Sequence, residues 1–98
     1  MADDDEDRER LLTLLRSQHR FPGEYTFRIV VRPEDRDRIL GVVRSALPAD
    51  DALLDVGERP SRNGGYVALH TKVRVPSPEA VLAVYGALRG IEGVFAVM

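Results

Sequence analysis

Two histidines, four scattered serines and the run Gly64-Gly65-Tyr66 are the residues of this chain whose types could do chemistry. A metal centre needs three or four converging ligands. His19 and His70 have no third donor at ligand spacing and no cysteine to join them, so both are expected at the surface and no metal ligand is assigned. Ser17, Ser45, Ser61 and Ser77 fall in helix, helix end, turn and cap patterns. None carries the nucleophile-elbow sequence that would sharpen a hydroxyl. Gly64-Gly65 could cradle a phosphate if it led into a helix N-terminus, where amides and dipole meet the anion. It leads instead into the alternating "YVALHTKVRV", which predicts a hairpin turn whose glycines supply positive φ angles. No catalytic or cofactor-binding residue is assigned, and the expectation is a protein that is not an enzyme.

Binding is the chemistry that remains. In "YVALHTKVRV" Val67, Leu69, Thr71, Val73 and Val75 share one face of a strand, and Tyr66, Ala68, His70, Lys72 and Arg74 the other. "EYTFRIVVR" alternates likewise, with Tyr25, Phe27, Ile29 and Val31 apolar and Arg28 and Arg32 opposite them. The candidate binding face is therefore Arg28, Arg32, Tyr66, His70, Lys72, Arg74 and Phe95, with Val97 expected beside Phe95 on the last strand.

The elements that must position this face follow from periodicity and punctuation. "DRERLLTLLRSQH" predicts a short amphipathic helix with Leu11, Leu12, Leu14 and Leu15 on one side, halted by Phe21-Pro22-Gly23. The first strand follows. Pro33-Glu34-Asp35 then opens a helix carrying Ile39, Leu40, Val43 and Leu47 as far as Pro48. "ALLDVGERP" predicts a weak edge strand, because Gly57 and Pro60 interrupt it. After the strand at 66–75, Ser77-Pro78-Glu79 caps a helix with an apolar stripe from Ala80 to Leu88 that stops at Gly90, and "GVFAVM" closes the chain. The order β-α-β-β-α-β predicts an α+β, ferredoxin-like sandwich: a four-stranded antiparallel sheet, two helices on one face, and a short N-terminal helix besides.

Ninety-eight residues, 44% of them hydrophobic, suit one such domain. The division expected is an acidic tail and short helix over 1–20 and a ferredoxin-like domain over 21–98. Asp3, Asp4, Asp5, Glu6 and Asp7 hold five of the sixteen acids, so residues 8–98 set fourteen bases against eleven acids, a net +3 beneath a formal −2. Such an acidic block is expected to be a solvated tail, or one that folds back over a basic face and competes with an anionic partner. The acidic start does not resemble a secretory signal, and no apolar run reaches membrane-spanning length. With no cysteine, the expectation is a cytoplasmic protein with no membrane partner.

A sheet face bearing apolar residues seldom stays bare, so burial by the N-terminal helix or by a second copy, giving a homodimer, is expected ahead of an anion-binding role. Single-stranded nucleic acid is the alternative. The third strand of RNA-recognition motifs reads basic, Gly, aromatic, Gly or Ala, aromatic, Val, any, aromatic. Residues 62–69 keep Arg62, Gly65, Tyr66 and Val67 but put Asn63, Gly64 and Leu69 where a glycine and two aromatics are required. Acylphosphatases share the length and strand order, but their glycine-rich arginine loop is absent, and Asn63 is the sole asparagine.

"RFPGEYTFRIVV", "SRNGGYVALHTKVRV" and "VLAVYGALRGIEGVFAVM" together resemble the YbeD-like family, a domain of unknown function (DUF493), over about residues 11–98. The resemblance implies a fold akin to ACT regulatory modules, a regulatory or interaction role with a small effector or partner protein, and a suggested link to lipoate metabolism. ACT modules commonly take effectors near the turn from first strand to first helix. That turn is here Val31-Arg32-Pro33-Glu34-Asp35, with Arg36, Asp37 and Arg38 in place of the glycine expected after the acid.

Overall fold

The computed structural model describes residues 2–98, with side chains from Asp5 onward. Its elements are α1 (Ala2–Gln18), β1 (Gly23–Val31), α2 (Arg36–Ala46), β2 (Leu53–Pro60), β3 (Val67–Val75), α3 (Pro78–Leu88) and β4 (Val94–Val97), with a single 3-10 turn at Pro33–Asp35 ahead of α2. The strands form one antiparallel sheet in the order β2-β3-β1-β4. This is the ferredoxin-like arrangement: the two strands with the strictest alternation take the centre, and the strand broken by Gly57 and Pro60 takes an edge, where a missing amide donor costs least.

The central pair is in continuous register from Gly23 opposite Val75 to Val31 opposite Val67. Register and period place Phe27, Ile29, Val31, Leu69, Val73 and Val75 on one face, each buried to 6% exposure or less with Val67 beside them. Ile39 and Val43 of α2 and Val81, Val84 and Leu88 of α3 close over them. Fully burying each such side chain contributes about 1.5–3 kcal/mol, so this single layer sets which way up the sheet lies. Thr71 sits in the same layer with its hydroxyl buried and unpartnered.

Local signals act where expected at two helix boundaries. The Ser77 hydroxyl accepts from the Ala80 amide at 3.3 Å with Pro78 in the first turn, and Gly90 adopts φ +75° just past α3.

α1 departs from the expected tail and helix. It begins at Ala2, so the acidic run is part of the helix; Met1, at the head of that run, lies outside the described residues. Only Leu12 (3% exposed) and Leu15 turn inward, while Leu11 and Leu14 stay half exposed. The second half of α1 packs against α3, with Arg16 paired to Glu79 at 3.0 Å. It therefore leaves the opposite sheet face uncovered.

Candidate binding face

The turn that delivers β3 to the sheet answers the phosphate question. Ser61 and Tyr66 close it by a backbone hydrogen bond of 2.8 Å, Gly64 donates to the Ser61 carbonyl, and Gly64 takes φ +75°. The Ser61 hydroxyl accepts from the Tyr66 amide at 3.0 Å, and the Asn63 side chain accepts from Gly65 at 3.3 Å. The amides of 64–66 that could hold an anion are thus already donating within the hairpin.

Tyr66 emerges from this turn on the face away from the helices, followed at every second residue by Ala68, His70, Lys72 and Arg74. The register sets Val30 opposite Ala68, Arg28 opposite His70, Thr26 opposite Lys72 and Glu24 opposite Arg74. On the other flank of β3, Arg59 lies opposite Ala68, Gly57 opposite His70 and Asp55 opposite Lys72. On the far side of β1, Ala96 lies opposite Val30, and Met98 exchanges two backbone hydrogen bonds with Arg28.

β4 needs a correction. Strict alternation places Phe95 and Val97 on one face, but Val94 pairs with Val31 and Ala96 with Val30, so one residue is extra and the strand bulges at Phe95. Val97 pairs with Ile29 and packs into the core; it is not on the candidate face. Phe95 turns outward, 69% exposed, with its ring 4.8 Å from that of Tyr66.

The face therefore has two halves. One is apolar: Tyr66, Phe95, Val30, Ala68, Ala96 and Met98. The other is charged, with Arg28, Arg59, His70, Lys72 and Arg74 against Glu24 and Asp55. Lys72 reaches Glu24 at 3.8 Å, a weak exposed pair. Six of the seven expected residues share this surface, and Arg32 stands at its rim, one residue beyond β1. Sequence reading missed Arg59 and Asp55, whose parity is hidden by a register shift between Leu53 and Asp55. Val30, Ala68 and Ala96 were missed because small apolar residues there look like filler, although they form the floor.

At the Arg32 rim lies a cleft of about 230 Å³ between the β1–α2 turn and the start of β4, lined by Arg32, Asp35, Tyr66, Glu92 and Phe95. Its wall is a latch: Arg38 pairs with Asp35 at 3.0 Å and also donates to the Glu92 carbonyl. Gly93, at φ +99°, lets the latch close, because an added Cβ would lie 2.7 Å from Asp35 Oδ2. Arg36, at the next position, pairs with Glu58 of β2 and then with Asp37, and these two bonds hold its guanidinium further toward the protonated form. The side chains standing where ACT modules carry glycine are thus engaged in fixing this turn.

Between β1 and α3, Tyr25 and Tyr85 share a hydroxyl hydrogen bond of 2.9 Å, and burial followed by that bond pushes the Tyr85 phenol well above its ordinary pKa. His19 stacks edge-on against Tyr25, far in sequence and element from His70. Among the described residues no three His, Asp or Glu side chains converge as a metal site, and no helix is long and apolar enough to cross a membrane.

A family model described as protein of unknown function (DUF493) matches residues 16–98. Among solved structures, the solution structure of the C-terminal domain of the MgtC protein from Mycobacterium tuberculosis is similar in fold. Its TM-score is 0.62 at 17% sequence identity, covering 83% of this chain and 88% of that one. No curated protein matches the sequence.

Proposed function

We propose, for a chain that belongs to the DUF493 family of proteins of unknown function, a non-enzymatic role as an ACT-like interaction module of the cytoplasm. It docks a partner protein on the open sheet face and takes a small effector in the cleft at the Arg32 rim. The observation that carries this reading is the uncovered apolar half of the face, where Phe95 is 69% and Met98 57% exposed beside Tyr66. Exposed aromatic and apolar side chains rimmed by arginines have the composition of a protein interface core and its border. The cleft, at about 230 Å³, is of a size for a metabolite rather than a larger cofactor.

Two measurements test the two halves. Proteins co-purifying with the chain, and the mass of the native particle, are compared with those of Phe95→Asp: the partner, whether another protein or a second copy, is expected to be lost in the variant, and no change in either measurement would defeat the docking surface. Thermal shift against free amino acids and lipoate tests the effector site and the suggested lipoate link, since a ligand held only by the native state raises Tm. A shift lost in Arg32→Ala is expected; no shift removes the effector.

The Tyr66–Phe95 ring pair beside Arg32 supports a second reading, single-stranded nucleic acid lying across the face, since base stacking on such rings contributes about 1–3 kcal/mol per base. That reading requires oligonucleotide binding that falls steeply with salt and is lost in Tyr66→Ala. Retention of an oligonucleotide at high salt, or none at low salt, disposes of it.

A further inference from the structure

The first half of α1 is a structural oddity. From Asp5 to Leu11 every residue is exposed, while in the second half Leu12 is buried, Leu15 packs against the core and Arg16 pairs with Glu79 of α3. The helix is continuous, so this anchor fixes the direction of the free half. It contributes to a molecule 41 Å long and only 22 Å thick. The anchor lies on the helix side of the sheet. An unbroken helix held there cannot bring its acids round to its own open face, which rules out the folded-back tail that the charge distribution alone suggests.

The free half and the open face are nevertheless complementary. The arm presents Asp5, Glu6, Asp7 and Glu9 against Arg8 and Arg10. Across the face, Arg28, Arg59 and Arg74 have no carboxylate within salt-bridge distance among the described residues, and Lys72 has only the long contact to Glu24. The apolar parts match too. Leu11 and Leu14 follow Asp7 at offsets of four and seven, on one side of the helix, and are 48% and 50% exposed. Phe95 and Met98 stand barer still, 69% and 57% exposed, at one end of the face. Residues 2–11 of a helix span about 15 Å, and four strands about 4.8 Å apart present a width of about 14 Å.

We propose that the sheet face of each chain receives the acidic first half of α1 from a second copy, the exchange being reciprocal. Both arms are then used, and the contact closes on a two-fold axis with no open surface for further growth. Leu11 and Leu14 meet Phe95 and Met98, and the acids meet Arg28, Lys72 and Arg74. This inference rests on the docking reading of the sheet face and names its occupant.

The test is sedimentation equilibrium of the full chain, of a variant lacking residues 1–9, and of the double variant Lys72→Glu, Arg74→Glu, each in low and high salt. The truncation spares Leu12, Leu15 and Arg16, and circular dichroism checks that all three remain folded. The full chain is expected at twice the 10.9 kDa of one copy in low salt, loosening as salt screens the exposed charges. Both variants are expected at the mass of one copy. A synthetic peptide of residues 2–14 is expected to bind the truncated chain and to move the amide signals of Arg28, Lys72 and Phe95. A full chain that is monomeric in low salt overturns the proposal, as does a peptide that moves none of these signals. A truncated chain that still dimerises also overturns it; if Phe95→Asp then splits that dimer, the sheet face keeps its docking role and only the arm is wrong.

Discussion

The rings of Tyr66 and Phe95 lie 4.8 Å apart across the end of β1, joining the head of β3 to the bulge of β4 on the uncovered side of the sheet. Neither ring is needed to close the core, which is built from Phe27, Ile29 and Leu69 on the other face. A Phe95 ring left 69% exposed in this way costs the fold little to remove.

Phe95→Ser is therefore expected to change unfolding free energy by about 1 kcal/mol or less, the scale of an exposed aromatic pair. Phe27→Ala, in the buried layer, is expected to cost about 3–5 kcal/mol. Urea denaturation of the two variants measures the contrast, and the Tyr66 ring-proton shifts report the loss of the Phe95 ring.

Thr71→Val is expected to stabilise the domain by about 1 kcal/mol. The Thr71 hydroxyl is buried with no partner, opposite Phe27 and Val56, and valine has the same shape without the desolvated oxygen. A denaturation midpoint lower than that of the parent chain would mean that the hydroxyl has a partner in solution.

Gly93→Ala is expected to cost about 1–3 kcal/mol. Its φ of +99° disfavours any side chain, and the added Cβ would press on the Arg38–Asp35 pair. Because that pair walls the cleft, any effector that raises the melting temperature of the parent chain is expected to lose its effect in this variant. Thermal shift reads both consequences.

Alkali is expected to destabilise the domain through Tyr85. Its neutral phenol is favoured by burial and by the bond to Tyr25, so its folded pKa lies above the ordinary 10.0 of the unfolded chain. The stabilisation is complete below pH 10. Above it the unfolded chain gives up its proton first, and stability falls as pH rises. Tyr85→Phe removes the ionisable group, so melting temperature plotted against pH should flatten above pH 10 relative to the parent chain. Parallel curves would place the alkaline sensitivity elsewhere.

Most of the fold was readable from residue order. The two central strands declared themselves by a period of two, and Ser77-Pro78, Gly90 and Gly64-Gly65 marked a helix start, a helix stop and a hairpin by backbone preferences that act within a few residues. Arg28, Tyr66, His70, Lys72 and Arg74 were found on one face for the same reason: once Val67 and Val31 are inside, parity fixes their neighbours. β4 broke the pattern. A bulge is decided by how two distant strands pair, so no count along "GVFAVM" could tell that Val97 turns in while Phe95 turns out.

Sequence alone determined which side chains avoid water and where the backbone must turn, because both are set by neighbours within one turn or one strand. Tertiary structure decided which surface each element was spent on. α1 packs against α3, with Leu15 on the core and Arg16 paired to Glu79, rather than on the open face of the sheet. Arg36 and Arg38 were committed to Glu58, Asp35 and the Glu92 carbonyl. These choices depend on partners distant in the chain, and they left the face carrying Tyr66 and Phe95 open, with α1 packed against α3 on the helix side of the sheet.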